Sequence, residues 1–170
     1  MNIVLIGFSG AGKTVIGESL AKKIGWEWVD TDKIIQAKYG KITEIFDKKG
    51  EEYFRALERE RVKELSLKNN LVVSTGGGLI ASEENAVALK KTGKVLYLKA
   101  NAETLFSRIN GCQDRPLLLG ERGCEKFYSL LKSRLPIYEK QADFVLETDG
   151  LSVQKSVEKA VEILQNNGVL

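Results

Sequence analysis

The sequence predicts an α/β fold: a five-stranded parallel sheet flanked by helices, in a single domain spanning 1–170. Three observations predict it. Short apolar runs alternate with stretches of helical periodicity, and strands separated by helices pair in parallel through right-handed crossovers. A chain of 170 residues suffices for one such domain and is too short for two ordinary ones. The first apolar run leads straight into a glycine-rich loop and then a helix, which aims backbone N–H groups and a helix N-terminus at a polyphosphate.

The first strand is Asn2 to Ile6, an apolar run closed by a glycine, as a buried parallel strand should be. Gly7-Phe8-Ser9-Gly10-Ala11-Gly12-Lys13-Thr14 then spells a complete phosphate-binding loop, G-x-x-x-x-G-K-[ST]. In such a loop Lys13 reaches the β- and γ-phosphates of a nucleoside triphosphate and the Thr14 hydroxyl ligates Mg²⁺. A helix follows over about 14–24, with Val15, Ile16, Leu20, Ala21 and Ile24 at helical spacing and Gly25 as its stop.

Glu27 to Val29 is the second strand, and Asp30-Thr31-Asp32 follows it. Carboxylates at the C-terminal end of a parallel strand stand on the edge where such sheets bind ligands. Alternation along an extended segment turns Asp30 and Asp32 to one side, where one holds Mg²⁺ through water and the other meets a substrate hydroxyl. The plainer alternative is that Thr31 or Asp32 only caps the next helix.

A helical excursion occupies 31–69, as helices over about 31–39 and 43–67, the second broken near Gly50. It is longer than a crossover needs, and long insertions in compact domains are usually functional surfaces or lids. Arg55 beside Phe54 suits a bidentate clamp on a carboxylate, although a helix-surface Arg is more often solvated. The run Glu58-Arg59-Glu60-Arg61 reads as a solvated helix face.

The third strand, Leu71 to Ser74, runs into Thr75-Gly76-Gly77-Gly78. Three glycines cost conformational entropy on ordering, so they point to close approach of backbone to a ligand or neighbour; a flexible turn is the competing view. Ser74 stands where many phosphate-loop proteins carry an acidic metal ligand, which moves that role to Asp30. A helix over 83–91, a strand Lys94 to Leu98 and a helix over 101–109 lead to a second interruption, Gly111 to Gly123, with Arg115-Pro116 near its middle. A loop carrying Arg can bring positive charge to a transferring phosphoryl group while excluding water. The next helix, over 124–140, is expected to kink or break at Pro136, aiming Arg134 inward. Strand Phe144 to Glu147 and a helix over 152–166, capped by Ser152, complete the pattern.

Composition narrows the chemistry. The chain has no His, so acid–base work falls to Asp, Glu, Lys or a hydroxyl. Two cysteines, Cys112 and Cys124, make neither a disulfide framework nor a zinc ligand set and are expected as free thiols. Net charge is +3 with basic residues dispersed among acids, which does not make a nucleic-acid footprint. The first apolar run is too short for a signal-peptide core or a membrane span, so the expectation is a cytoplasmic protein.

Taken together, the phosphate loop, Asp30-Thr31-Asp32, Phe54-Arg55, Gly76-Gly77-Gly78, Arg115-Pro116-Leu117-Leu118 and Arg134-Leu135-Pro136-Ile137-Tyr138 resemble shikimate kinase, in order and across the whole chain. The resemblance implies a nucleoside-monophosphate-kinase-like P-loop kinase with strand order 2-3-1-4-5, a substrate-binding helical region at about 31–69 and a closing lid at 111–123. It implies phosphoryl transfer from ATP to the 3-hydroxyl of shikimate, on the route to chorismate and aromatic amino acids. Carried over to this sequence, Gly10, Ala11, Gly12, Lys13, Thr14 and Val15 hold the nucleotide, and Arg108 stacks on adenine. Thr14 and Asp30 serve Mg²⁺, the latter through water. Asp32 contacts the shikimate hydroxyls and is the candidate base, while Arg55 and Arg134 grip the carboxylate, with Glu58 orienting Arg55. Phe46 and Phe54 wall the pocket, and the backbone of Gly76, Gly77 and Gly78 lies near the ring. Arg115 meets the transferring phosphoryl, and Thr148 to Ser152 wraps adenine. Lys13, Asp32 and Arg115 are thus the catalytic candidates; the implied cofactors are ATP and Mg²⁺. The implied partner is a small molecule, with no nucleic acid or membrane, and the protein acts as a monomer.

Two rivals remain at this point. Gluconate kinase or adenylate kinase chemistry fits the same scaffold, and gluconate also carries hydroxyls and a carboxylate. A guanine-nucleotide switch would need Asn-Lys-x-Asp, which does not occur; Asp47-Lys48-Lys49-Gly50 spells D-x-x-G but in a helical stretch.

Overall fold

The computed structural model describes residues 1–109 and 123–170. Five strands, β1 (Asn2–Ile6), β2 (Glu27–Asp30), β3 (Leu71–Ser74), β4 (Gly93–Lys99) and β5 (Phe144–Glu147), form one sheet in the order β2-β3-β1-β4-β5. Every pairing is parallel, with Val4 opposite Val73 on one side and Val95 on the other, Val29 opposite Val73, and Tyr97 opposite Val145. The central strand β1 is buried at all five positions, as its unbroken apolar spelling demands.

The helices among the described residues are α1 (Lys13–Ile24), α2 (Thr31–Tyr39), α3 (Ile42–Lys49), α4 (Glu51–Leu65), α5 (Glu83–Thr92), α6 (Ala102–Ile109), α7 (Gly123–Gln141) and α8 (Val153–Asn166), with a short 3-10 turn at Leu79–Ala81. Their ends follow local chemistry. Gly25, at φ 73°, closes α1 by donating its N–H to the Ala21 carbonyl. Ser82 and Ser152 cap α5 and α8, accepting from the backbone N–H of Asn85 and Lys155. The expected break near Gly50 separates α3 from α4.

Two expectations are corrected. Helix α7 does not break at Pro136, one of the two outcomes expected there. An interior proline forfeits one backbone bond, but buried Leu131 and Tyr138 flank it and hold both halves in place. The charge run in α4 is not a solvated face either: Glu58 and Arg61 are buried.

The main core lies against the sheet, with α1 packed on α8 and α4 on α5. A second, smaller core of Ile35, Ile45, Phe54 and Leu57 holds α2, α3 and α4 to one another. Each such side chain contributes about 1.5–3 kcal/mol on burial, so the helical excursion has its own adhesive. That placement matters for what α4 presents to the sheet edge.

Candidate active site

Each strand delivers a chemically distinct segment at its C-terminal end. After β1, the loop turns through Gly10 and Gly12 at φ 83° and 90°, a left-handed conformation that a side chain would strain. Buried Lys13 folds its ammonium back over this loop, donating to the carbonyls of Gly7 and Phe8, both at 2.9 Å. The Thr14 hydroxyl donates to Asp30 Oδ2 at 2.8 Å. Asp30 Oδ1 accepts from the N–H groups of Asp32 and Lys33, so Asp30 is the N-cap of α2. The cap that the alternative reading set at Thr31 or Asp32 is instead Asp30, and a single carboxylate both starts a helix and faces the phosphate loop.

The alternation argument for Asp30 and Asp32 does not hold, because α2 begins at Thr31 and Asp32 lies in its first turn. Both nevertheless line one cavity of about 400 Å³ with Gly10 to Ile16, Thr75 and Gly77. Val15 stands exposed at its rim. Arg108, from α6, borders the same space and donates to the Gly10 carbonyl at 3.1 Å. Thr148 and Leu151, in the loop after β5, form another part of the wall. Sequence reading did not single out Thr75 or Ser156, which also line it. The Thr14 hydroxyl and the Asp30 carboxylate form an oxygen pair of the kind a hard divalent cation takes.

Beside this cavity, α4 and α7 bring cations to the glycine turn after β3. The Arg55 guanidinium donates to Glu58 Oε2 at 2.7 Å and to Glu51 Oε1 at 2.9 Å, and lies 5.5 Å from the Phe54 ring centre. The rings of Phe46 and Phe54 pack 5.1 Å apart. The Arg134 guanidinium lies 5.8 Å from the ring centre of Phe8, a residue of the phosphate loop itself.

The glycines are small because these head groups occupy the space. A Cβ on Gly76 would meet Asp32 Oδ1 at 2.5 Å and Glu58 Oε1 at 3.2 Å. On Gly78 it would meet Arg55 Nη1 at 2.8 Å and Arg134 Nη2 at 3.0 Å. On Gly77 it would sit 3.3 Å from Arg134 Nη1 and 3.7 Å from both the Gly7 carbonyl oxygen and the Ser9 nitrogen. The turn is therefore wedged between the phosphate loop and two guanidinium groups. The Tyr138 hydroxyl donates to the Gly77 carbonyl at 2.6 Å, and the Gly76 N–H donates to the buried Thr31 hydroxyl at 2.9 Å, fixing the turn from both sides.

Burial sets the titration here. It pushes the Glu58 carboxyl up to about 7, with Asp32 adding to the rise, although the Arg55 guanidinium pulls the other way. Glu58 Oε1 finds no hydrogen-bond partner among the described residues. Burial likewise holds the Tyr138 phenol at about 12, so it stays a donor.

The structure thus brings together the phosphate loop, Asp30, Asp32, Arg108 and the glycine turn around one cavity, with Arg55, Phe54 and Arg134 next to it. Arg115, Cys112 and all but the last residue of the 111–123 interruption lie outside the described residues. Cys124 is an exposed free thiol. Phe8, Glu51 and Tyr138 were missed; only an aromatic inside the phosphate loop and the Ile137-Tyr138 spelling signalled two of them.

The family model described as shikimate kinase matches residues 9–165. A shikimate kinase of Thermodesulfovibrio yellowstonii is 43% identical over 162 residues, covering 95% of this chain and 93% of that protein. One from Symbiobacterium thermophilum is 40% identical over 171 residues, covering 99% and 98%. Among solved structures, the shikimate kinase of Acinetobacter baumannii in complex with shikimate superposes with a TM-score of 0.94 at 37% identity, covering 99% of this chain and 95% of that one. A deoxyadenosine kinase from M. mycoides, at 22% identity and a TM-score of 0.64, shares the fold.

Proposed function

The chain belongs to the shikimate kinase family, and from that premise we propose that it transfers the γ-phosphoryl group of ATP to the 3-hydroxyl of shikimate, yielding ADP and shikimate 3-phosphate. One observation carries the reading: Gly77 stands between the phosphate loop and Arg134, while Asp32 lines the cavity of that loop. An acid gripped by Arg55 and Arg134 presents its ring hydroxyls to Asp32 and to the end of a triphosphate.

Phosphoryl transfer needs positioning and charge stabilisation more than a strong base. Gly10 to Thr14 and Val15 hold the triphosphate, and Lys13 leaves the loop carbonyls to meet the β- and γ-phosphates. Thr14, and Asp30 through water, would hold Mg²⁺, which would supply positive charge to offset that of the phosphates. Asp32 orients the attacking hydroxyl and takes its proton as the bond to phosphorus forms and the bond to ADP breaks. Arg55 and Arg134 bind the carboxylate; a planar fork suits that group. Phe46 and Phe54 wall the ring, and Glu58 holds Arg55 in place. Arg108 and Thr148 to Ser152 take the adenine.

On the same reading 31–69 is the substrate-binding region and 111–123 the lid whose Arg115 meets the transferring phosphoryl group. Both halves of the pocket come from one chain, which supports action as a monomer. Among the described residues no helix is long and apolar enough to cross a membrane.

A coupled assay of ADP release tests this across acceptors. Shikimate turns over and gluconate and nucleoside monophosphates do not; turnover with gluconate alone, or hydrolysis with no acceptor, contradicts the assignment.

A further inference from the structure

Arg55 is already spoken for on two edges. Its Nη1 edge carries Glu58, which is buried and fixed. Its Nε and Nη2 edge carries Glu51 Oε1, at 3.3 and 2.9 Å. That second edge presents two parallel N–H groups, the geometry a bound carboxylate takes. Glu51 lies one helical turn before Arg55 at the first position of α4, and its side chain is 53% exposed against 1% for Glu58. It can swing into water at little cost; Glu58 cannot.

Glu51 also lines a second cavity, about 610 Å³, together with Arg134, Lys126 and Ser133 of α7. The carboxylate on Arg55 therefore faces the space that holds the other guanidinium of the clamp. We infer that Glu51 is an internal competitor for the substrate's carboxylate: it pairs with the Arg55 fork and is displaced when the acid binds. This rests on the reading of Arg55 and Arg134 as the carboxylate clamp. Glu51 keeps Arg55 extended toward the glycine turn, and its displacement weakens apparent affinity by the strength of one half-exposed ion pair.

The test is Glu51→Gln, with Glu51→Ala as a second variant and Glu52→Gln as a control of equal charge change. Glu52 is the next residue, exposed and outside the site. Exposed pairs contribute about 0.2–1 kcal/mol, so the shikimate KM is expected to fall by about 1.4-fold to fivefold in both Glu51 variants, with kcat and the ATP KM unchanged. Glu52→Gln leaves all three unchanged. An unchanged or raised shikimate KM in the Glu51 variants overturns the inference, and so does an equal fall in Glu52→Gln, which would mark a general charge effect. Arg55→Lys separates this from the clamp reading. If it raises the shikimate KM while the Glu51 variants do nothing, the clamp stands and the competitor falls; if it too leaves KM unchanged, the clamp itself is wrong.

Discussion

Gly78 shows how much of the pocket depends on an absent side chain. Its backbone, at φ −100° and ψ −10°, is a conformation any residue adopts. Strain is thus not the reason for glycine; Arg55 and Arg134 are, since both would lie within 3.0 Å of a Cβ. The clashing atoms are the ends of long side chains, which move cheaply. Gly78→Ala is therefore expected to leave thermal stability nearly unchanged while raising the shikimate KM by on the order of tenfold, about 1.4 kcal/mol of binding. The ATP KM should not follow. Equal rises for both substrates would show that the turn, not the clamp, had been damaged. The sequence marked this glycine run as a place of close approach, and that reading holds. What approaches came through the family resemblance alone, which set Arg55 and Arg134 on one carboxylate beside these glycines; residue spacing could not give it, because both lie far away along the chain and only packing brings them there.

Helix α4 docks through Phe54, Leu57, Glu58, Arg61, Val62 and Leu65, so it buries a carboxyl among apolar groups. Elements were legible almost throughout, since apolar periodicity and caps are local signals. The buried charges of α4 were not, because Glu58-Arg59-Glu60-Arg61 is spelled like a surface and only its docking partner reveals otherwise. Docking has a pH signature. The folded-state Glu58 carboxyl titrates near 7 rather than at its ordinary 4.5, so the folded protein binds more protons than the unfolded chain between those values. Its contribution to stability is present below about 4.5 and is lost as pH rises through about 7. Asp32, Arg55 and Arg134 are the charges that face it. Calorimetry from pH 5 to 8 should show a steeper fall in wild-type Tm than in Glu58→Gln, which has no carboxyl to ionise. Parallel profiles would remove Glu58 as the source.

Across the whole molecule, the parallel sheet does the gathering. With all strands running one way, the loop after β1, Asp30 at the end of β2, the glycine turn after β3 and Thr148 after β5 emerge on one edge. That convergence was legible from alternation alone. The α7 contribution was legible in part: Arg134 was expected to turn inward and does, but along a helix that continues through Pro136 rather than breaking there, and Tyr138 reaches the turn with it. On the proposed reading, one cleft holds a triphosphate on Gly10 to Thr14 and an acid on Arg55 and Arg134, with Asp32 between. A crystal structure with shikimate and a non-hydrolysable ATP analogue tests it most directly. The carboxylate is expected between the two guanidinium groups and the 3-hydroxyl facing both Asp32 and the γ-phosphate; shikimate bound elsewhere, or turned with its carboxylate away from Arg55 and Arg134, would overturn the shared cleft.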